Sequence, residues 1–514
     1  MNWSSGYVTE VEYVFGYYHQ LNPALLRLAC LRAGFHPPSG EPLHYLELGY
    51  GQGLSINIHG AAMPGSFMGT DFNPAHVAHA QAFARASRSD VVLLDDSFAE
   101  LAARKDLQAF DIIALHGVWT WVSDDDRRTI VDIIRRRLKI GGLVYNSYNC
   151  RPGWAPAEPL RHLMRLYSDL ATTDAAGTLS SVDRALKFCE QIAESDALYF
   201  NANPLVDERL KQIMSLNRNY VAHEYFNRNW ELMSFSQMAE WMEAGKVTYV
   251  ASAGLLDHLD AINLTDKGRQ LLADVKHPVL RESVRDYLVN QQFRRDIFMK
   301  GPQRLSQLDQ FELLQRQAFV LTTWAHDVPL KVKGARGEFE LQEQVYRPLV
   351  EALAEGSYAA KTLAELRTHP NLRTIHFPNI VQAIFVLIGM GHAFPAQSPT
   401  KEARRRCASL NKYLCERARS MDDVSFLASP ITATGVFATR LHQLFLRAID
   451  LGRTSLADQV ADVWSLLSAQ GQGIKKDGQR IDNAADNVAE LTRLATEFQE
   501  KRLPVLKALG VSLR

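Results

Sequence analysis

One nine-residue run, YLELGYGQG at 45–53, joins a short apolar strand pattern to a helical one and restricts the possible fold more than any other feature. Its glycines, Gly49, Gly51 and Gly53, are spaced G-x-G-x-G. Glycine at such a turn accepts positive φ and lets a ligand approach the backbone. A dinucleotide-binding loop wants its third glycine where this chain has Leu54, which disfavours a nicotinamide oxidoreductase. Glu47, two residues before the first glycine, favours a ligand with a positive charge over a pyrophosphate.

The surroundings of the loop fit a parallel sheet. Apolar runs at 43–48, 66–70, 91–94, 112–115 and 143–147 alternate with helical patterns, the clearest at 125–138. Short strands separated by helices make βαβ units. Asp71 closes the second run, where an acid is placed to accept hydrogen bonds from ribose hydroxyls. Asp71 as a helix N-cap ahead of Pro74 is the structural alternative. Asp95, Asp96, Ser97 and Phe98 follow the third run. A carboxylate there can accept from an exocyclic adenine amine, and an apolar ring can cover the base. Together these positions describe a nucleoside pocket across the carboxyl ends of the strands.

The order YLELGYGQG, GTDFNP, DDSF, FDIIALHGVW and LKIGG resembles the class I S-adenosylmethionine-dependent methyltransferases over residues 40–150. The resemblance implies a Rossmann-like seven-stranded sheet whose final strand is antiparallel. It implies that Gly49, Gly51 and Gly53 line the methionine part of S-adenosylmethionine, and that Glu47 supports its amino group. Asp71 then holds the ribose, Asp96, Ser97 and Phe98 the adenine, and His116 borders the cofactor. S-adenosylhomocysteine is the implied product. Ile140 replaces the proline of the usual LKPGG, with no expected effect on binding.

A narrower likeness extends further. SYNCRPGW at 147–154, YVAHEYF at 220–226 and the N-terminal YVFGYYHQLNPALLRLACLRAG resemble bacterial methyltransferases with a regulatory domain, a group that includes rickettsial protein lysine methyltransferases acting on outer-membrane proteins. The N-terminal aromatic cluster departs from those enzymes.

The 514 residues suggest about three domains. The expected organisation is an N-terminal helical lid at 1–40, a core at 41–154 and 235–303, and a helical insertion at 155–234. A connector at 303–333 then leads to a mainly helical, winged-helix-like domain at 334–514. The last two strands of the core are expected at 246–253 and 293–300, and Arg294-Arg295 reads as a solvated pair, with binding of an anionic substrate as the lesser option. In the C-terminal stretch Ile481, Val488, Leu491, Ala495 and Phe498 share one face, as core or as the seam of a homodimer.

Lys+Arg and Asp+Glu both total 57, which argues against a nucleic-acid coat. The five cysteines form no CxxC pair, and no metal site is expected. The N-terminus lacks a signal-peptide pattern and no apolar run is long enough to span a bilayer, so a cytoplasmic protein without membrane insertion is expected.

For catalysis, candidates follow strands four and five. His116 closes strand four and Trp119 and Trp121 follow it. Tyr148 is the favoured polar residue, near Tyr145, Asn146, Asn149, Arg151 and Trp154. His223 belongs to a His-Glu-Tyr run that cannot all face one ligand from a helix, so one residue reaches the site while the others anchor the insertion, or the run is a structural clamp between insertion and core. The aromatics Tyr13, Phe15, Tyr17 and Tyr18 form either a lid over the cofactor or a docking stripe for the core. Three functions remain open: methylation of a protein side chain with lysine favoured, methylation of a glycan or small metabolite, and a non-catalytic cofactor-binding scaffold.

Overall fold

The computed structural model describes residues 6–40, 42–171, 177–476 and 478–514. Residues 1–5 of the expected lid, 41 of the core, 172–176 of the insertion and 477 of the C-terminal domain lie outside the described residues.

Seven strands build the central sheet: β1 (Leu43–Leu48), β2 (Gly65–Thr70), β3 (Val92–Leu94), β4 (Phe110–Leu115), β5 (Leu138–Asn149), β6 (Thr248–Ser252) and β7 (Phe293–Met299). Their order is β3-β2-β1-β4-β5-β7-β6. The first five are parallel, and β7 runs antiparallel to both β5 and β6. This is the expected Rossmann-like methyltransferase sheet with a reversed strand. Strands β1 and β4 are apolar apart from His44, Glu47 and Asp111, because both of their faces are covered.

Alternate residues feed two cores. Tyr45, Ile112, Ala114 and Tyr145 enter one, with the helices Pro23–Arg32, Leu54–Ala62 and Pro74–Ser87. Leu46, Leu48, Ile113, Val144 and Tyr148 enter the other, against the helices Asp124–Arg137 and Phe235–Ala244. The helix Asp124–Arg137 follows from its sequence. Ser123 and Asp126 form a capping box, three acids sit in the first turn and three arginines in the last. The insertion has its own core around Trp154, Leu160, Leu186 and Val221.

The stretch 303–333, expected as a connector, holds the helix Gln307–Gln315 and β8 (Ala318–Leu321). A hairpin follows, β9 (Lys331–Gly334) with β10 (Gly337–Glu340). β8 is the central strand of a three-stranded sheet, between β11 (Lys361–Thr362) and β12 (Ala393–Ala396). With the helices Glu343–Tyr358, Leu363–Thr368 and Phe377–Gly389 it forms the winged-helix-like part. This region is not set apart from the sheet. The helix Lys401–Arg417 packs on Leu54–Ala62 and Pro74–Ser87, and its Cys407 and Leu410 belong to the same core as Ile56 and Phe83. Leu491, Ala495 and Phe498 are buried in that core, whereas Val488 faces outward.

Arg294 departs from the expected solvated pair. β7 is an inner strand, so its alternate side chains are buried, and Arg294 meets Glu282 at 3.0 Å, Asp286 at 2.5 Å and Asp296 at 2.9 Å. Arg295 is half-buried beside Asp257 at 3.4 Å. The expected N-terminal helix begins only at Pro23, after a single 3-10 turn at His19–Leu21. Ahead of that turn Val11, Tyr13, Phe15 and Tyr17 alternate at the period of two that suits an extended strap. No helix among the described residues is long and apolar enough to cross a membrane.

Candidate active site

The three loop glycines have different physical duties. All have positive φ, at 71°, 57° and 74°. A Cβ on Gly49 would lie 2.5 Å from Val118 Cγ2, and one on Gly53 would lie 2.4 Å from Ala80 Cβ. Those two glycines allow close packing beneath the loop. A Cβ on Gly51 would meet only the Tyr13 ring, at 3.8 Å, so Gly51 borders open space. Gly117, at the end of β4, has nothing within 4 Å of the same position.

Glu47 lies under this cradle, 2% exposed. The Tyr45 hydroxyl donates to its carboxylate at 2.9 Å, and no ion pair satisfies it among the described residues. Burial pushes its pKa up to about 8. A buried acid without a cation is costly, and an ammonium group entering the cradle would relieve that cost.

Asp71 ties the loop to β2. One carboxylate oxygen accepts from the Gly51 N–H at 2.8 Å, and the other accepts from Asn73 N–H at 3.1 Å and lies 3.1 Å from His76 Nδ1. The following helix is capped by Asn73, so Asp71 is not its N-cap. Asp96 pairs with Arg104 at 2.8 Å. Ser97 caps the helix Phe98–Ala103 in a capping box with Glu100, and Phe98 is half-buried against the second core. These residues gather along the carboxyl ends of β1, β2 and β3.

His116 is at the end of β4, 2.8 Å from the Tyr145 hydroxyl and 3.3 Å from Ser147 Oγ. Tyr18 stacks over it with centroids 4.1 Å apart. Burial and nearby Arg295 lower its pKa to about 3, so the imidazole is neutral at physiological pH. Tyr148 points to the opposite face of the sheet. It is fully buried, and its hydroxyl donates to Asp296 at 2.6 Å within the Arg294 cluster. β-strand alternation separates it from Tyr145 and His116.

The strap crosses the glycine loop. The Tyr13 carbonyl accepts from Gln52 at 2.9 Å, Tyr18 N–H donates to Ser55 Oγ at 3.1 Å, and the Tyr17 hydroxyl lies 3.1 Å from His59 Nε2. His223 holds the strap from the insertion side, with Nε2 2.8 Å from the Val11 carbonyl and Tyr7 and Tyr13 packed on its ring. Trp121 donates to the Glu224 backbone carbonyl at 3.3 Å, while Trp154 is buried in the insertion under the Arg209 guanidinium. Glu224 was missed by reasoning from sequence, which favoured its neighbour. The available signal was the single acid in a run of aromatic and apolar residues, YVAHEYF.

Comparison with known proteins places this geometry. A family model described as a methyltransferase domain matches residues 46–142, and one described as a predicted methyltransferase regulatory domain matches 217–300. The second match therefore includes β6 and β7 of the core sheet. The uncharacterized protein sll1526 of Synechocystis is 38% identical over the full length of both chains. RP789 of Rickettsia prowazekii is 25% identical over 55% of this chain and 51% of its own length. PKMT2 from Rickettsia typhi, solved in complex with AdoHcy, superposes with a TM-score of 0.69 at 18% identity, covering 94% of this chain and 98% of that one. The chain belongs to the family of sll1526, class I S-adenosylmethionine-dependent methyltransferases that carry the methyltransferase regulatory domain.

Proposed function

We propose that the protein methylates the side-chain amine of lysine in a protein substrate, using S-adenosylmethionine. The observation that carries the acceptor class is the fold likeness to PKMT2, a protein lysine methyltransferase, which spans the sheet, the insertion and the C-terminal region alike. The cofactor fits the residues present. Glu47 pairs with its α-ammonium, the Gly51 backbone borders the methionine, Asp71 accepts from the ribose, and Asp96, Ser97 and Phe98 bound the adenine. When bound, it supplies an electrophilic methyl group on a sulfonium. The chain's part is to orient the acceptor and exclude water. Neutral His116, fixed between Tyr145 and Tyr18, contributes a wall and a hydrogen-bond acceptor. Tyr148 and His223 are assigned to packing and to holding the strap. We place the start of the C-terminal region near residue 305, because β8 pairs with β11 and β12.

A small polar acceptor, such as a glycan or a metabolite, is the second reading. It is favoured by a cavity of about 550 Å³ between β6, β7 and the C-terminal region, whose walls include Arg285, Arg295, Asp257 and Lys333. Incubation with methyl-labelled S-adenosylmethionine and a bacterial lysate separates the readings. Label in bands that protease destroys, with mass spectrometry showing methylated lysine, is the expected result. Label that survives protease moves the assignment to the small acceptor.

A further inference from the structure

Glu224 has a carboxylate but no committed partner. Its side-chain hydrogen bond among the described residues is a long one from Asn149 Nδ2, at 3.5 Å. Asn149 ends β5, so this contact places Glu224 at the carboxyl edge of the sheet. Arg161 and Arg209, whose charges act on Glu224, form no ion pair with it and make contacts elsewhere. Arg161 donates to the Asn227 carbonyl at 2.5 Å and lies over the Trp230 ring at 4.6 Å. Arg209 donates to Gln292 at 2.9 Å and lies over Trp154 at 3.7 Å.

Tyrosines connect this carboxylate to the cofactor cradle. Burial first, and the Glu224 charge in addition, raise the pKa of Tyr7, Tyr13 and Tyr18 on the strap and of Tyr220 and Tyr225 on its own helix. Tyr7 also senses Asp71 and packs edge-on to Phe72 at 5.7 Å. Tyr13 borders Gly51 and shares a hydroxyl hydrogen bond with Tyr18, which covers His116. Glu224 itself remains partly accessible, as do Tyr7, Tyr13, Tyr18 and Tyr220. A partly accessible acid surrounded by tyrosine rings is a site for a cation.

We infer that Glu224 and the strap tyrosines form the acceptor chamber for a primary ammonium group, with the Glu224 carboxylate taking the proton that the amine must lose. The inference rests on the lysine reading above. The acceptor N–H bond breaks, the proton goes to a Glu224 oxygen, and the electron pair stays on nitrogen to bond the methyl carbon. The carbon–sulfur pair leaves with sulfur as a neutral thioether, and Glu224 returns its proton to solvent.

The other titratable groups facing the site suit this task less well. His116 is held near 3, too weak a base, and Asp71 is engaged by two backbone N–H groups. Burial raises the pKa of Glu224 to about 7, while Asn149, Arg161 and Arg209 oppose the rise. A proton acceptor near 7 is matched to work at neutral pH.

The test uses the full chain saturated with AdoHcy and n-butylammonium as the lysine side-chain mimic, followed by NMR or calorimetry from pH 5.5 to 8.5. Wild type should bind the mimic more tightly as pH rises through about 7. E224Q should weaken that binding at least about tenfold while AdoHcy affinity stays within about twofold, showing an intact fold. E224D should recover part of the loss. Equal binding by wild type and E224Q overturns the assignment of Glu224 and leaves the lysine reading standing. Absence of mimic binding to AdoHcy-loaded wild type overturns the chamber. Failure of wild type to bind AdoHcy overturns the methyltransferase reading and the chamber with it.

Discussion

The two halves of the active site are assembled in different ways. The proposed cofactor half draws Glu47, Gly51, Asp71 and Asp96 from consecutive strand ends, each within a few residues of a turn. The proposed acceptor half joins a strap at 7–18, the end of β5 and a helix at Arg218–Tyr225. A parallel sheet brings successive βα turns to one edge as a matter of topology. Nothing local requires residue 13 to meet residue 223. The first half is therefore encoded in short motifs, and the second in long-range packing. Perturbations should act accordingly: loss of ligand binding in the first half, loss of order or acceptor recognition in the second.

The largest effect is expected at Glu47. E47Q removes the buried carboxylate proposed to pair with the cofactor's ammonium, and AdoHcy affinity should fall about 100-fold or more by calorimetry. The ligand-free protein should respond in the opposite sense. A folded pKa of about 8 lies above the ordinary carboxyl value, so the folded state holds a proton that the unfolded state has lost. Glu47 therefore lowers stability progressively as pH rises from about 4.5 to 8. E47Q should raise the melting temperature most above pH 8 and hardly at all near pH 4. For wild type, AdoHcy binding should release a proton and tighten by about tenfold per unit as pH rises toward 8.

The glycine loop sharpens the comparison within one motif. G53A places a Cβ against Ala80 in a left-handed backbone and should destabilise the fold by about 2 kcal/mol or more in denaturant unfolding. G51A has a similar backbone strain but faces open space. Its stability loss should be about 1 kcal/mol, with a clear drop in AdoHcy affinity. If G51A and G53A lost stability equally and bound AdoHcy equally well, the division of duties within the loop would be wrong.

On the acceptor side, H223A removes the group that holds the Val11 carbonyl and supports Tyr7 and Tyr13. Limited proteolysis should then cut within residues 7–18 several times faster, with AdoHcy affinity falling about threefold to tenfold. Unchanged proteolysis would mean that the remaining contacts, from Gln52, Ser55 and His59 on one side and Asn227, Asn219 and Thr178 on the other, suffice to hold the strap.

The same contrast explains what could be read from the sequence. The sheet was legible because β1 and β4 are covered on both faces and are therefore mostly apolar. β8 was not, since four residues, AFVL, become a strand only through pairing with β11 and β12. His223 and Glu224 are adjacent and helical, so their roles depend on helix rotation, which packing against the strap decides. Arg294 looked solvated because the doublet RR says nothing of β6 lying outside β7. The strap's alternation of Val11, Tyr13, Phe15 and Tyr17 was present in the sequence, but it acquires meaning only from the loop beneath it.

Tyr148 provides the smallest expected effect. A tyrosine near the end of strand five is a reasonable candidate for polar chemistry near a methyl acceptor. Its hydroxyl instead donates to Asp296, which also faces Arg294, on the sheet face away from His116. Y148F keeps the ring in its core and removes one buried hydrogen bond to a carboxylate. It should cost about 1–2 kcal/mol of stability. AdoHcy affinity and methyl transfer to protein should stay within about twofold of wild type, since the change is shielded by the sheet and by the remaining Arg294 contacts. A large loss of transfer in Y148F with stability preserved would place the acceptor on the other face and collapse the distinction between the two halves.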